Sequence, residues 1–175
     1  MSTTLHDTQD EAEIQAASLL AEVFAGRLAA LRVASAGRML RLAFPAAASI
    51  LVDTTAWYYH EEHGSGDVDL VSIRDADGRE LWNDEDGPTP ELPDVDGGWH
   101  AVHAAAESEL FSALDHLTPD GCGWESFERE DHSDTDVFRI ELPAPGQQQT
   151  EPLAERALTR LRPLAVQLGL TLTVA

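Results

Sequence analysis

Two histidine pairs come closest to the spacing of a reactive site. His60-Glu61-Glu62-His63 and His100-Ala101-Val102-His103 each set two imidazoles at i, i+3. On a helix both rings then lie on one face and can share a metal with a nearby carboxylate. A zincin helix needs His-Glu-x-x-His, with spacing four and the glutamate as base, and neither segment matches it. Seven histidines among 32 acids also make such pairs expected by chance. His60, His63, His100 and His103 therefore read as exposed or hydrogen-bonded histidines, and a metal-dependent enzyme built on one of the pairs is kept as the alternative reading.

Other reaction classes lose their supports. Asp75-Ala76-Asp77-Gly78 and Asp94-Val95-Asp96-Gly97 contain fragments of a calcium loop, but neither completes the ligand set that ends in a bidentate glutamate. Ser65, in His63-Gly64-Ser65-Gly66-Asp67, lacks the Gly-x-Ser-x-Gly elbow of a nucleophile. There is no lysine, which removes Schiff-base chemistry and pyridoxal phosphate attachment, and no glycine-rich phosphate or dinucleotide loop. No cofactor is implied. Cys122 is the single cysteine, so an intrachain disulfide is impossible. A binding role is expected in place of catalysis.

The residues suited to binding are aromatic and acidic. Trp57-Tyr58-Tyr59 runs directly into the His60 segment, and Trp82 precedes Asp84-Glu85-Asp86. An aromatic anchor beside a charged rim is a common interface composition, so these seven residues form the candidate partner surface.

Positioning them requires a folded domain, and 175 residues with 43% hydrophobic content suffice for one. Thr8-Gln9-Asp10-Glu11 fits a capping box, predicting a helical segment over 8–44 with the apolar stripe Ile14, Ala17, Ala21, Phe24, Leu28 and Leu31, extended through Met39 and Leu42. Gly37 is a possible break, and Arg27, Arg32, Arg38 and Arg41 read as a solvated face. Strands, including a hairpin turning at Asp75-Ala76-Asp77-Gly78, are expected over 48–82, and a proline-rich acidic loop over 83–98. A helix over 99–117 and a strand–helix–strand over 136–175 follow, the last helix carrying Pro163. The resulting expectation is one α+β domain over 1–175: a two-layer sandwich, mainly an antiparallel sheet of about five strands, with three or four helices packed on one face.

Charge then narrows the partner. The formal net charge is −21, and the basic residues are all arginine. Residues Asp53 to Asp136 hold 24 acids against only Arg74, Arg79 and Arg129, whereas the flanks hold eight acids and eight arginines. Such a field repels nucleic acid and anionic lipid and attracts basic surfaces. With no secretory pattern at Met1–Asp10 and no apolar run that reaches the roughly 18 residues needed to span a bilayer, a cytoplasmic location away from membranes is expected. The leading expectation is an acidic binding protein that engages a basic surface of a partner protein, as an inhibitor, immunity-type protein or nucleic-acid mimic does, without touching nucleic acid directly. An adaptor or assembly subunit, its charge serving only solubility, is the blander alternative.

Overall fold

Residues 3–58, 67–114, 117–127, 136–146 and 153–167 are described by a computed structural model. The chain divides into two compact units, one formed by Met1–Arg27 with Gln148–Ala175 and the other by Leu28–Gln147. Helix α1 (Thr3–Ala43) contributes residues to both.

The second unit holds a five-stranded antiparallel sheet and fits the α+β class. Its strands are β1 (Ser49–Asp53), β2 (Asp69–Arg74), β3 (Glu80–Asn83), β4 (Glu125–Ser126) and β5 (Val137–Glu141), in the order β3-β2-β1-β5-β4. Central β1 reads Ser-Ile-Leu-Val-Asp, and four of its five residues are buried. An unbroken apolar run buries both faces of a strand, which alternation would not. A single-turn helix α2 (Thr55–Tyr58) follows β1, and Asp53 Oδ1 accepts the Thr55 N–H at 2.7 Å. The hairpin between β2 and β3 forms where its turn residues predict. The Asp75 carboxylate accepts the N–H groups of Asp77 and Arg79 at 3.1 and 2.9 Å, while Gly78 takes φ of +78°.

One face of this sheet carries the main core. Ile50, Val52, Leu70, Ile73, Phe138 and Ile140 meet two helices there. Helix α3 (Gly98–Ala113) contributes Trp99, Val102, Ala106, Leu110 and Ala113, close to its expected stripe, and ends four residues earlier than 117. Helix α1 contributes Ala29, Val33, Ala36 and Leu40, whose four-three-four spacing makes one face. Small residues at Ala29 and Ala36 let the helix lie close to its neighbours. Gly37 does not break α1; a Cβ there would press on Leu142 at 3.3 Å, so the glycine serves close approach. The helix also starts at Thr3, ahead of the Thr8 capping box.

Three expectations about α1 need correction. Most of its predicted stripe is not the core face: Ile14, Phe24, Leu28, Leu31 and Leu42 are exposed, as are Ala17 and Ala21, and of that stripe Met39 packs against the core. The helix is apolar around most of its circumference, and choosing the larger side chains picked the wrong side. Arg32 and Arg41 are not a solvated face. Arg32 Nη1 lies 2.8 Å from Glu109 Oε2, and Arg41 Nε donates to the Ala47 carbonyl at 3.0 Å, with burial lowering the Arg41 pKa. Finally, Glu13–Ala43 is, by length and composition, apolar enough to cross a membrane, with a mean hydropathy of 1.4 over its richest stretch. Glu22 and Arg27 interrupt the run, which is why counting uninterrupted apolar residues misses it.

In the first unit, helix α4 (Leu153–Gln167) runs through Pro163, with Ala165 buried and Val166 exposed. The closing strand expected near Leu170–Val174 lies outside the described residues.

Candidate functional site

Among the residues singled out for binding, Trp57 and Tyr58 fall in α2, but their side chains lie outside the described residues, as do Tyr59, His60 and His63 entirely. Trp82 is a correction. It pairs with Ile73 across the β2–β3 ladder and faces the helix layer, 7% exposed, where its ring lies edge-on to Trp99 at 5.2 Å. A tryptophan at the end of a strand here closes the core and offers no anchor to a partner. Trp99 and Trp124 are buried as well.

His100 and His103 do not converge on a shared ligand. His100 is exposed, whereas His103 sits edge-on to both Trp82 and Trp99, at 5.3 and 5.4 Å. Its Nδ1 lies 3.2 Å from Glu107 Oε2, and Glu107 Oε1 accepts the Leu70 N–H at 3.0 Å. The histidine therefore helps hold α3 against β2. No group of three or more potential metal ligands occurs among the described residues. The Cys122 thiol is half-buried, donates to the Ala113 carbonyl at 3.4 Å, and is pushed up to about 11 by burial. At that value it is a protonated packing group at neutral pH, not a nucleophile.

The acids Asp84, Glu85 and Asp86 are all exposed, on a turn that directly follows β3. The Asp84 N–H donates to the Val71 carbonyl at 3.1 Å, and Asn83 Oδ1 accepts the Asp86 N–H at 2.7 Å, so the turn is fixed to the sheet edge. Gly87 closes it by donating to the Asn83 carbonyl at 3.0 Å. A Cβ on Gly87 would collide with that carbonyl and come within 2.6 Å of the Trp82 ring. Nearby Asp69 has a raised pKa, first from burial and then from repulsion by Glu107, Asp53, Asp67 and Asp84. Negative charge is thus concentrated beyond what the local structure neutralises.

The turn also borders a cleft on the sheet face opposite the main core. Leu51, Val71 and Val137 make a second, smaller apolar cluster there, with Phe127 packed against it. Two bulges shape the cleft: Val71 is extra where Leu51 pairs with Ser72 and Val52 with Leu70, and Leu81 is extra between Trp82 and Glu80. The cleft encloses about 190 Å³, with Leu51, Val71 and Phe127 as its apolar lining and Glu80, Asp84 and Glu85 among its polar residues. Arg74 is the cation of this wall, its guanidinium carbon 5.4 Å from the Phe127 ring centroid and Nη2 3.8 Å from Glu80 Oε2. The Ser72 hydroxyl and Arg74 Nε, both of cleft residues, are buried with no hydrogen-bond partner among the described residues.

Sequence reasoning named Asp84 and Glu85 but missed Leu51, Val71, Ser72, Arg74 and Phe127. The available signal was the loss of alternation in Ile50-Leu51-Val52 and Leu70-Val71, which marks strands with two buried faces.

No family model matches the chain, and neither the curated proteins nor the solved structures contain a detectable match.

Proposed function

We propose that this is an acidic binding protein that engages a basic surface of a partner protein in the cytoplasm, seating one basic side chain in the cleft beside Asp84 and Glu85. The observation that carries the reading is the composition of that cleft. Leu51, Val71 and Phe127 match the aliphatic stem of an arginine or lysine, while Asp84 and Glu85 match its charged head, Glu80 being held by Arg74 and Asn83. The Ser72 hydroxyl, without a partner among the described residues, supplies an acceptor for one further N–H. The anchor role that sequence assigned to Trp82 passes to this lining. Exposed Asp77, Asp94 and Asp96 extend the field and accelerate encounter without fixing geometry.

The test is titration with an arginine-rich peptide at several salt concentrations, comparing Asp84→Asn/Glu85→Gln with the distant pair Asp94→Asn/Asp96→Asn. Both variants remove the same charge. The cleft variant is expected to weaken binding several-fold more than the distant one, and salt to weaken binding by all of them. Equal losses from the two variants would reduce the interaction to non-specific charge, and salt-independent binding would reject the electrostatic reading altogether.

A further inference from the structure

We infer that the cleft receives the C-terminal residue of its partner, an arginine or lysine whose α-carboxylate is taken by Arg74 while its side chain meets Asp84 and Glu85. The inference rests on the proposed seating of a basic side chain in this cleft, and names which residue of the partner supplies it.

The cleft has ends of opposite charge. Strand β2 runs between them: the Val71 carbonyl accepts from the Asp84 N–H at the acidic end, Ser72 pairs with Asn83 in the middle, and Arg74 pairs with Glu80 at the other end. Val71 and Arg74 are three residues apart, about 10 Å along a strand. One extended basic residue covers roughly 7 Å from its α-carboxylate to its charged head, and the side chains of Arg74 and Asp84 supply the rest.

A cleft that took only a cation would gain nothing from a guanidinium in its wall. Arg74 lines the cleft with its side chain 28% exposed, and it repels an incoming arginine or lysine head. The chain's own acid answers it loosely: Glu80 Oε2 stays 3.8 Å from Arg74 Nη2, beyond hydrogen-bonding distance, and Glu80 Oε1 accepts from Asn83 Nδ2 at 2.7 Å. Phe127, its ring centroid 5.4 Å from the guanidinium carbon, orients the cation without accepting a hydrogen bond from it. The Ser72 hydroxyl, in a residue 2% exposed, and Arg74 Nε are buried with no partner among the described residues. A carboxylate suits this end. It accepts from the planar guanidinium and takes the Ser72 O–H, whose oxygen keeps lone pairs for an N–H of the ligand's head. The carbonyl of an internal residue is neutral and would leave the repulsion in place. Arg79, the other cation of the hairpin, is paired with Asp75 at 3.1 Å and does not line the cleft.

The experiment is calorimetric titration of the full chain, at one low salt concentration, with a short acetylated glycine–serine peptide ending in arginine, once as the free acid and once as the amide. The amide carries the larger positive charge, so the protein's net charge of −21 favours it, and only a cation inside the site can reverse that order. The free acid is expected to bind about tenfold tighter or more. Arg74→Gln should abolish this preference by weakening the acid alone. Arg79→Gln, which removes the same charge outside the cleft, should keep it. If Arg74→Gln does not fold, the comparison of the two peptides on the wild type decides alone. An amide bound as tightly as the acid overturns the inference, as does equal weakening of both peptides by Arg74→Gln, which would make Arg74 only a structural part of the wall. Binding of neither peptide overturns it too, whereas the arginine-rich peptide and Asp84→Asn/Glu85→Gln report separately on whether the cleft seats a basic side chain at all. Free arginine bound as tightly as the peptide acid would assign the cleft to a small amino acid and overturn the partner's C-terminus as its occupant.

Discussion

The two faces of the sheet are built from the same strands yet satisfy different demands. The face under α1 and α3 has Ile50, Ile73, Ala106 and Leu110 fully buried, and Glu109 accepts from both Arg32 and Ser35 across its helices, with Arg32 Nε the one buried side-chain polar atom there that lacks a partner among the described residues. The opposite face has a small apolar cluster and leaves Ser49, Ser72, Arg74 and Arg139 with buried, partnerless polar atoms among the described residues. Burying a donor or acceptor without a partner costs about 1–3 kcal/mol, so a face that retains several trades stability for something else. The first face holds the fold together; the second keeps hydrogen-bonding capacity that a ligand group can use.

The sharpest way to break the comparison is a cavity on each side. Leu110→Ala, at the centre of the main core, should cost about 3–5 kcal/mol in denaturant unfolding, whereas Val71→Ala in the smaller cluster should cost about 1 kcal/mol. Comparable losses would mean that the second face is as much a core as the first. Gly87→Ala comes next. Its new methyl group would meet the Asn83 carbonyl and the Trp82 ring, and the expected cost of overpacking is about 1–3 kcal/mol, together with a changed tryptophan emission spectrum. This variant links the faces, because the turn that bears Asp84 is closed against a tryptophan of the other side.

Much of the first face was legible in the sequence. Alternation in Phe138-Arg139-Ile140, the stripe of α3 and the Asp-Gly hairpin all follow from local periodicity and turn chemistry. The second face was not, because runs such as Leu70-Val71-Ser72 lack alternation and the bulge at Val71 changes which side chains share a face. Helix α1 was legible as a helix but not in its orientation. When apolar residues occupy most of the circumference, periodicity finds a stripe without saying which neighbour it serves, and Ala29 and Ala36 proved to matter more to the core than Phe24 or Leu31. Acids in the candidate site were visible from composition, while its apolar lining depended on Phe127 coming from a distant segment to reach Arg74.

A smaller effect sharpens the contrast from the polar side. Ser72→Ala removes a buried hydroxyl that has no partner among the described residues, so stability should be unchanged or rise by up to about 1 kcal/mol, while peptide binding weakens. A destabilised variant would show that the hydroxyl is satisfied in solution and free for no ligand.

The smallest expected effect concerns charge at the edge of the sheet. Asp69 is held above the ordinary aspartate range by burial and by Glu107, Asp53, Asp67 and Asp84, so its ionised form opposes folding at neutral pH. A carboxyl raised in the folded state binds its proton more tightly there than in the unfolded chain, and its destabilisation is therefore relieved as pH falls through the folded pKa. Asp69→Asn should accordingly raise stability at pH 7 by no more than about 0.5 kcal/mol, the usual range for a surface change. The advantage over wild type should shrink on acidification and vanish below the unfolded pKa. Salt should shrink it too, by screening the four neighbouring acids. Thermal melts of both proteins across that pH range provide the check. A difference that persists at low pH would assign the gain to packing of the amide and remove Asp69 from the account of excess charge beside the cleft.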